Sequence, residues 1–280
     1  MDPIAAAVAI VSKFGIVVED PVVLHDSNNT LVWLRPHAVV AKVATGHHHR
    51  LDLDMDVCRH LVACDAPAVP PADAVPPVLH RYGGYEATFW TYEHQVRSKE
   101  EPDEADLAAS LHAVHRALDT FPGKLPDLDD ELEAVAAVLS EPARAPALST
   151  MDRELLVSAL SLLRGKLEAH ASAPRRLHGS PHDGNVLLVD GHVAFIDFET
   201  ACQGPLEWDL AHMGDGAVGA YPGSIDVAVL GISQGLVSVK TAAWCWAKYE
   251  HKDLRWHAHH HLAQVRRLAA DRDRGDLRSD

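Results

Sequence analysis

Basic residues are in short supply in this chain: 25 Lys and Arg stand against 40 Asp and Glu in 280 residues, a formal charge of −15. Proteins that hold nucleic acid neutralise phosphates with a clustered basic face. The balance here therefore argues against a nucleic-acid partner. An acidic field keeps a protein soluble and concentrates cationic small molecules around it. Cysteine is scarce as well. Cys58, Cys64, Cys202 and Cys245 lie in apolar contexts without C-x-x-C spacing, so they read as buried free thiols of a reducing compartment. No run approaches the roughly 18 consecutive apolar residues of a membrane span. The start, Met1-Asp2-Pro3-Ile4, lacks the positive region of a signal peptide. These absences set the expectation of a cytoplasmic protein with no membrane partner, monomeric or homodimeric. A hydrophobic share of 47% suffices for one large core or two lobes.

Histidine, by contrast, is abundant, with 20 residues and two triplets, His47-His48-His49 and His259-His260-His261. Consecutive residues on a helix point in different directions. Neither triplet therefore builds a single tetrahedral metal site, and both read as solvent-exposed.

Periodicity divides the chain. Residues 4–13 are helical in character and stop near Gly15. Short β-like runs follow at Ile16–Val18, Val22–His25, Leu31–Leu34 and Ala38–Val43, separated by turn signals at Pro21 and Ser27-Asn28-Asn29. Leu51–Cys64 has apolar residues at helical spacing and ends at the Pro-rich stretch Ala66–Pro77. Val78–Tyr82 and Ala87–Tyr92 read as strands around Gly83-Gly84. A mostly antiparallel sheet with one inserted helix is expected there. Amphipathic helices are then predicted at Asp103–Leu118, Leu128–Leu139 and Asp152–His170. Val186–Val189 and Val193–Ile196 form a hairpin about Asp190-Gly191. Helices return at about 207–220, 225–236 and 239–270.

The most informative stretch is His178-Gly179-Ser180-Pro181-His182-Asp183-Gly184-Asn185, followed by the strand ending Ile196-Asp197-Phe198-Glu199. It resembles the catalytic loop and metal-binding strand of aminoglycoside phosphotransferases and choline-kinase-like small-molecule kinases, which read H-G-D-x-H-x-x-N and then I-D-F-E or similar. Gly204-Pro205-Leu206-Glu207-Trp208-Asp209-Leu210-Ala211 resembles the family's G-P-x-x-x-D-L-A, where the Asp buttresses the loop. The resemblance is specific over 177–211 and loose before it. It implies an α+β fold of the bilobal protein-kinase type, with a β-rich nucleotide-binding lobe at 1–93 and a helical lobe at 94–280 carrying the catalytic loop and acceptor site.

It also implies roles. Lys42, alone among apolar neighbours in Val39-Val40-Ala41-Lys42-Val43, takes the place of the ATP lysine. Asp54 takes the place of its helix partner, usually Glu, with Asp52 and Asp56 as rivals. Asp is one methylene shorter, so strand and helix must come closer. Asn28 and Asn29 lie in the turn that covers the phosphates. Trp90 and Tyr92 fall at the interlobe hinge, where apolar walls and backbone groups suit a flat base. Asn185 and Asp197 are the metal pair, since Mg²⁺ takes oxygen ligands and retains water. ATP, or another nucleoside triphosphate, and Mg²⁺ are the implied cofactors. A small cationic molecule is the implied acceptor, with Glu199, Glu207, Asp215, Glu250 and Asp253 as acidic candidates for an amine.

One position departs from the pattern. Ser180 stands where the family has its catalytic Asp. A neutral Ser orients a hydroxyl but is no base, and positioned acid–base groups contribute about 10²–10⁴-fold. Three readings stay open: Ser180 as an orienting group, His182 or Asp183 as a substitute base, or a pseudokinase-type protein that binds without turnover. A protein kinase is disfavoured, because Asp197-Phe198-Glu199 replaces D-F-G and no A-P-E follows. A hydrolase triad is disfavoured by the lack of a G-x-S-x-G elbow.

Overall fold

The computed structural model describes residues 2–26, 29–45, 50–93, 102–170 and 173–276. The chain runs α1 (Pro3–Ser12), β1 (Asp20–Asp26), β2 (Thr30–Arg35), β3 (Val39–Thr45), α2 (Leu51–Ala63), β4 (His80–Tyr82), β5 (Tyr85–Thr91) and α3 (Glu104–Leu118). It continues through α4 (Leu128–Ser140), α5 (Thr150–Ala169), β6 (Arg175–Leu177), β7 (Val186–Val189), β8 (His192–Phe195) and β9 (Cys202–Gly204). It ends with α6 (Glu207–Leu210), α7 (Asp215–Ala220), α8 (Val227–Ala247) and α9 (Lys252–Asp276). Contacts divide it into two compact units. One gathers Met1–Leu125, Arg176–Cys202 and Met213–Pro222; the other gathers Pro126–Arg175, Gln203–His212 and Gly223–Asp280.

In the first unit, five strands form an antiparallel sheet of order β1-β2-β3-β5-β4. Strand alternation sorts its residues. Val32, Leu34, Val39, Ala41, Val43, Ala87 and Phe89 share a core with Ala7, Ile10 and Val11 of α1. The opposite face carries the row Trp33–Val40–Trp90 and, next to it, Leu31–Lys42–Thr88. Pro3 opens α1 and Asp2 caps it, accepting from the Ala5 amide at 2.7 Å. The strand expected at Ile16–Val18 is absent. Ile16 closes the end of α1 through its amide to Val11 O, after Gly15 turns the chain at φ +78°, and strand geometry starts at Asp20.

The Pro-rich segment straps the hairpin onto this sheet. Phe195 of β8 donates to Pro67 O and accepts from the Val69 amide, while the Ala72 and Thr91 amides donate to Phe89 O and Pro70 O. β7 and β8 pair Val186 with Phe195 through Val189 with His192 around Asp190 and Gly191, both at positive φ.

The second unit is helical. α8 packs against α4, α5, α6 and α9, and its buried residues point to every side of the helix. It is long and apolar enough to cross a membrane by length and composition, with mean hydropathy 1.3 over the best window. That character serves a core helix here, since 56% of that window is buried. The break expected near residues 237–238 does not occur. A helix buried all round has no apolar stripe by which to judge continuity, and the true break falls at residues 248–251. Likewise the helix expected at 207–220 is two short helices, α6 and α7. The short strands β6 and β9 were not anticipated from the sequence.

Candidate active site

Every candidate residue that the structure describes in the catalytic, nucleotide and metal sets lies in the first unit. Asn28 and the His47–His49 triplet lie outside the described residues.

The helical period settles which acid of α2 turns inward. Leu51, Asp54, Met55, Cys58 and Leu61 share the buried face, whereas Asp52 and Asp56 are exposed. Asp54 is 1% exposed and both its oxygens are used. Oδ2 accepts from Lys42 Nζ at 2.8 Å and Oδ1 from the Phe198 amide at 2.8 Å. Lys42 Nζ also donates to Asp197 Oδ1 at 2.6 Å and lies 3.1 Å from Glu199 Oε2. Asn29 Nδ2 donates to the same Glu199 oxygen at 3.1 Å. Strand β3, helix α2 and the turn after β8 thus meet at one ammonium, and Asn29 joins them through Glu199.

The charges respond accordingly. Burial works against the Lys42 proton, but the carboxylates of Asp54, Asp197 and Glu199 outweigh it and hold the ammonium well above its ordinary value. Burial pushes Asp54 up to about 6 against the pull of Lys42. Burial opposes ionisation of Asp197 too, yet Lys42 holds that carboxyl below its usual range. Burial acts on both; the neighbours differ, since His178 and His182 add to the pull of Lys42 on Asp197 whereas Asp197 and Glu199 push Asp54 further up. Asp197 sits at φ +68°, ψ +59°, a left-handed conformation that Asp tolerates better than most side chains.

The catalytic-loop segment is held by its own histidines. Fully buried His178 donates from Nε2 to Ile196 O at 3.1 Å, and its Nδ1 accepts from the Ser180 amide at 3.3 Å. Gly179 stands at φ +89°, and a Cβ there would lie 1.9 Å from the Thr200 carbonyl oxygen. Ser180 O accepts from the His182 amide and from Asn185 Nδ2, both at 2.9 Å. That second bond fixes the orientation of the Asn185 amide. The Ser180 side chain is partly exposed and makes no hydrogen bond among the described residues. His182 Nδ1 accepts from the Gly184 amide at 3.0 Å, which uses the one acceptor nitrogen of a neutral imidazole. Asp183 is exposed at the start of the turn Asp183–Asn185.

Trp90 shares the sheet face of Lys42, its Nε1 donating to Thr88 Oγ1 at 3.0 Å. Tyr92 stacks on Trp33 with centroids 4.0 Å apart and planes 2° from parallel. Aromatic surface therefore lies one side-chain row from Lys42, about 7 Å along the strand.

Not all the suggested acids gather here. Asp215, Glu250 and Asp253 are exposed on helices or turns elsewhere. Glu207 lines a cavity of about 420 Å³ in the second unit and accepts from the Asp226 amide at 2.9 Å. Asp209 is fully buried in α6 of that unit. Glu199, read from the sequence as an amine-recognising acid, instead contacts Lys42. The available signal was its place two residues after Asp197 in the same tight turn.

The donor set suits a hard divalent cation. Three carboxylates surround one ammonium, leaving negative charge uncompensated, and Asp197 and Asn185 offer oxygen donors, the ligand type Mg²⁺ takes. Among the described residues, no group of three or more His, Cys, Asp and Glu forms a metal-holding cluster.

A β-sheet unit carrying a lysine–carboxylate pair, joined in sequence to a helical unit, is the α+β protein-kinase-like class. The chain belongs to the phosphotransferase enzyme family, whose model matches residues 22–235. Family membership places it among the phosphotransferases. A comparison with curated proteins found no significant match. Among solved structures, it is similar to a microcompartment-associated aminopropanol kinase (TM-score 0.69, 16% identity, covering 95% of this chain and 98% of the other). It is also similar to a thermostable mutant of aminoglycoside phosphotransferase APH(4)-Ia (TM-score 0.67, 16% identity, 92% and 98% covered). A third is an amicoumacin kinase solved with AMP-PNP, Ca²⁺ and Ami (TM-score 0.66, 10% identity, 92% of each covered). At these identities the structural likeness speaks for the fold alone.

Proposed function

We propose that this protein transfers the γ-phosphate of ATP, or another nucleoside triphosphate, to a hydroxyl of a small amine-bearing molecule. The observation that carries the reading is Lys42, buried on β3 and held by Asp54 and Asp197. Lys42 binds phosphate oxygens, and Asp54 fixes it while anchoring the turn through the Phe198 amide. Trp90, Tyr92 and the sheet face between them receive the base, in a nucleotide lobe spanning 1–93. Asn29 and its turn cover the phosphates, and 94–280 supplies the acceptor side. Asn185 and Asp197 would hold Mg²⁺, which when bound neutralises charge on the phosphates.

Ser180 orients the acceptor hydroxyl through its unengaged Oγ. Phosphoryl transfer passes through a loose transition state, so positioning and electrostatics carry most of the rate and a strong base is not required. Among the alternative bases, Asp183 is better placed chemically than His182, whose acceptor nitrogen is already used. The amine-bearing acceptor is supported by the −15 formal charge and by relatives named for aminopropanol, amicoumacin and aminoglycosides. The four cysteines are free, which suits a reducing cytoplasm where ATP is supplied. Ser180 itself favours one other reading, a protein that binds nucleotide and ligand without turnover.

Mass spectrometry of amino alcohols, amino sugars and aminoglycosides incubated with the protein, ATP and Mg²⁺ separates the two. Turnover predicts a phosphoryl mass gain that Asp197→Ala abolishes. A silent wild type beside an active Ser180→Asp variant would instead establish the binding protein, with a gain on the order of 10²–10⁴-fold from the restored base.

A further inference from the structure

We propose that the cavity of the helical unit binds a small zwitterion of the amino-acid class, a primary amine that also carries a carboxylate. The cavity measures about 420 Å³, within the roughly 300–1,000 Å³ typical of small-molecule sites. Its walls include Arg175, Leu206, Glu207, Ser224, Ile225 and Asp226, all of the second unit. None of them belongs to the lysine cluster of the first. Arg175 opens β6, and strand alternation turns it away from Arg176, whose guanidinium donates to Leu118 O and Phe121 O. Glu207 begins α6, and Asp226 caps α8.

Glu207 is the pivot. It is 6% exposed, and a buried carboxylate is costly unless donors satisfy it. An ionised carboxylate offers about four acceptor positions. Among the described residues one donor reaches this one, the Asp226 amide on Oε1 at 2.9 Å, and Oε2 accepts nothing. Asp226 commits Oδ1 to the amides of Ala228 and Val229 and keeps Oδ2. Exposed Ser224 adds a hydroxyl at the rim. An ammonium has three protons to donate. Glu207 Oε2, Asp226 Oδ2 and Ser224 Oγ are three acceptors on one cavity.

Arg175 decides the other end of the ligand. It lines the same cavity as Glu207, yet the two form no ion pair with each other. Opposite charges that share a cavity without touching match a ligand that carries both charges in reverse. A guanidinium takes a carboxylate through paired N–H groups. Leu206 and Ile225 offer apolar surface to the carbon chain between the two ends. A plain diamine would set a positive charge against Arg175, and a dicarboxylate would set a negative one against Glu207 and Asp226. Like-charge contacts of this kind are how a site rejects the wrong partner.

The test is calorimetric titration of the full chain, without nucleotide, with glycine, γ-aminobutyrate and 6-aminohexanoate, which space the two charges differently. Putrescine and succinate serve as single-sign controls. At least one amino acid should bind with Kd below about 1 mM, and both controls at least about tenfold more weakly. Glu207→Gln keeps the oxygen that accepts the Asp226 amide and removes the charge. It should weaken the amino acid by at least about tenfold. Arg175→Gln should do the same from the other end, which covers the case of one variant folding poorly; thermal melts report folding. No amino acid binding tighter than about 1 mM, a control binding within about tenfold, or an unchanged affinity in either folded variant would each overturn the proposal.

Discussion

Gly179 shows how little freedom one residue of the loop has. It combines φ +89° with a 1.9 Å approach of its missing Cβ to the Thr200 carbonyl, and backbone cannot retreat as a flexible side-chain tip can. Gly179→Ala should cost about 3 kcal/mol or more, from the conformational penalty and the clash together. Chemical denaturation measures this directly, and a loss below about 1 kcal/mol would show that the turn relaxes. Asp54 makes a complementary point. Its inward direction was legible, because the apolar residues of α2 recur at spacings that include position 54 and leave Asp52 and Asp56 outside. Glu199 was not legible in the same way. Its contact with Lys42 joins residues 157 positions apart, and no local period records that.

At the scale of elements, the strongest local signals translate into structure with little change. Asp190-Gly191 between two apolar runs becomes the β7–β8 hairpin, since both residues accept positive φ. α3, α4 and α5 start where acidic or hydroxyl side chains can cap free amides. α8 was misjudged in its middle, yet its start is well marked: Asp226 Oδ1 accepts from the Ala228 and Val229 amides at 2.9 and 3.2 Å. Asp226→Ala should cost about 1 kcal/mol, read as a lower urea midpoint at unchanged slope. Asp226→Asn, which keeps the accepting oxygen, should recover most of it.

For the molecule as a whole, acid sensitivity has an identifiable source in the helical unit. His261 on α9 is lowered to about 4, first by burial and then by His260 and His257, with its hydrogen bond to Gln264 acting the other way. Its folded value lies below the ordinary ~6.5 of an unfolded histidine. The folded protein therefore resists the proton that the unfolded chain accepts. The sign follows: this contribution is fully present above about pH 6.5 and is lost as pH falls toward 4. Stability should decline across that window, and His261→Gln should flatten the decline in melts taken at stepped pH. A variant with the wild-type slope would place the acid response elsewhere among the 20 histidines.

Sequence alone determined what depends on neighbours in the chain: turn chemistry, caps, helical and strand periods, and the H-G-x-x-H-x-x-N spacing that marks the loop. Each of these is a short-range steric or hydrogen-bonding preference, so a few adjacent residues suffice to express it. Tertiary structure alone decided which charges meet. It brought Glu199 to Lys42, used the acceptor nitrogen of His182 on its own loop, and left Ser180 Oγ unengaged. Those outcomes depend on packing between distant segments, where Coulomb energy and desolvation act over distances in space that sequence separation does not encode.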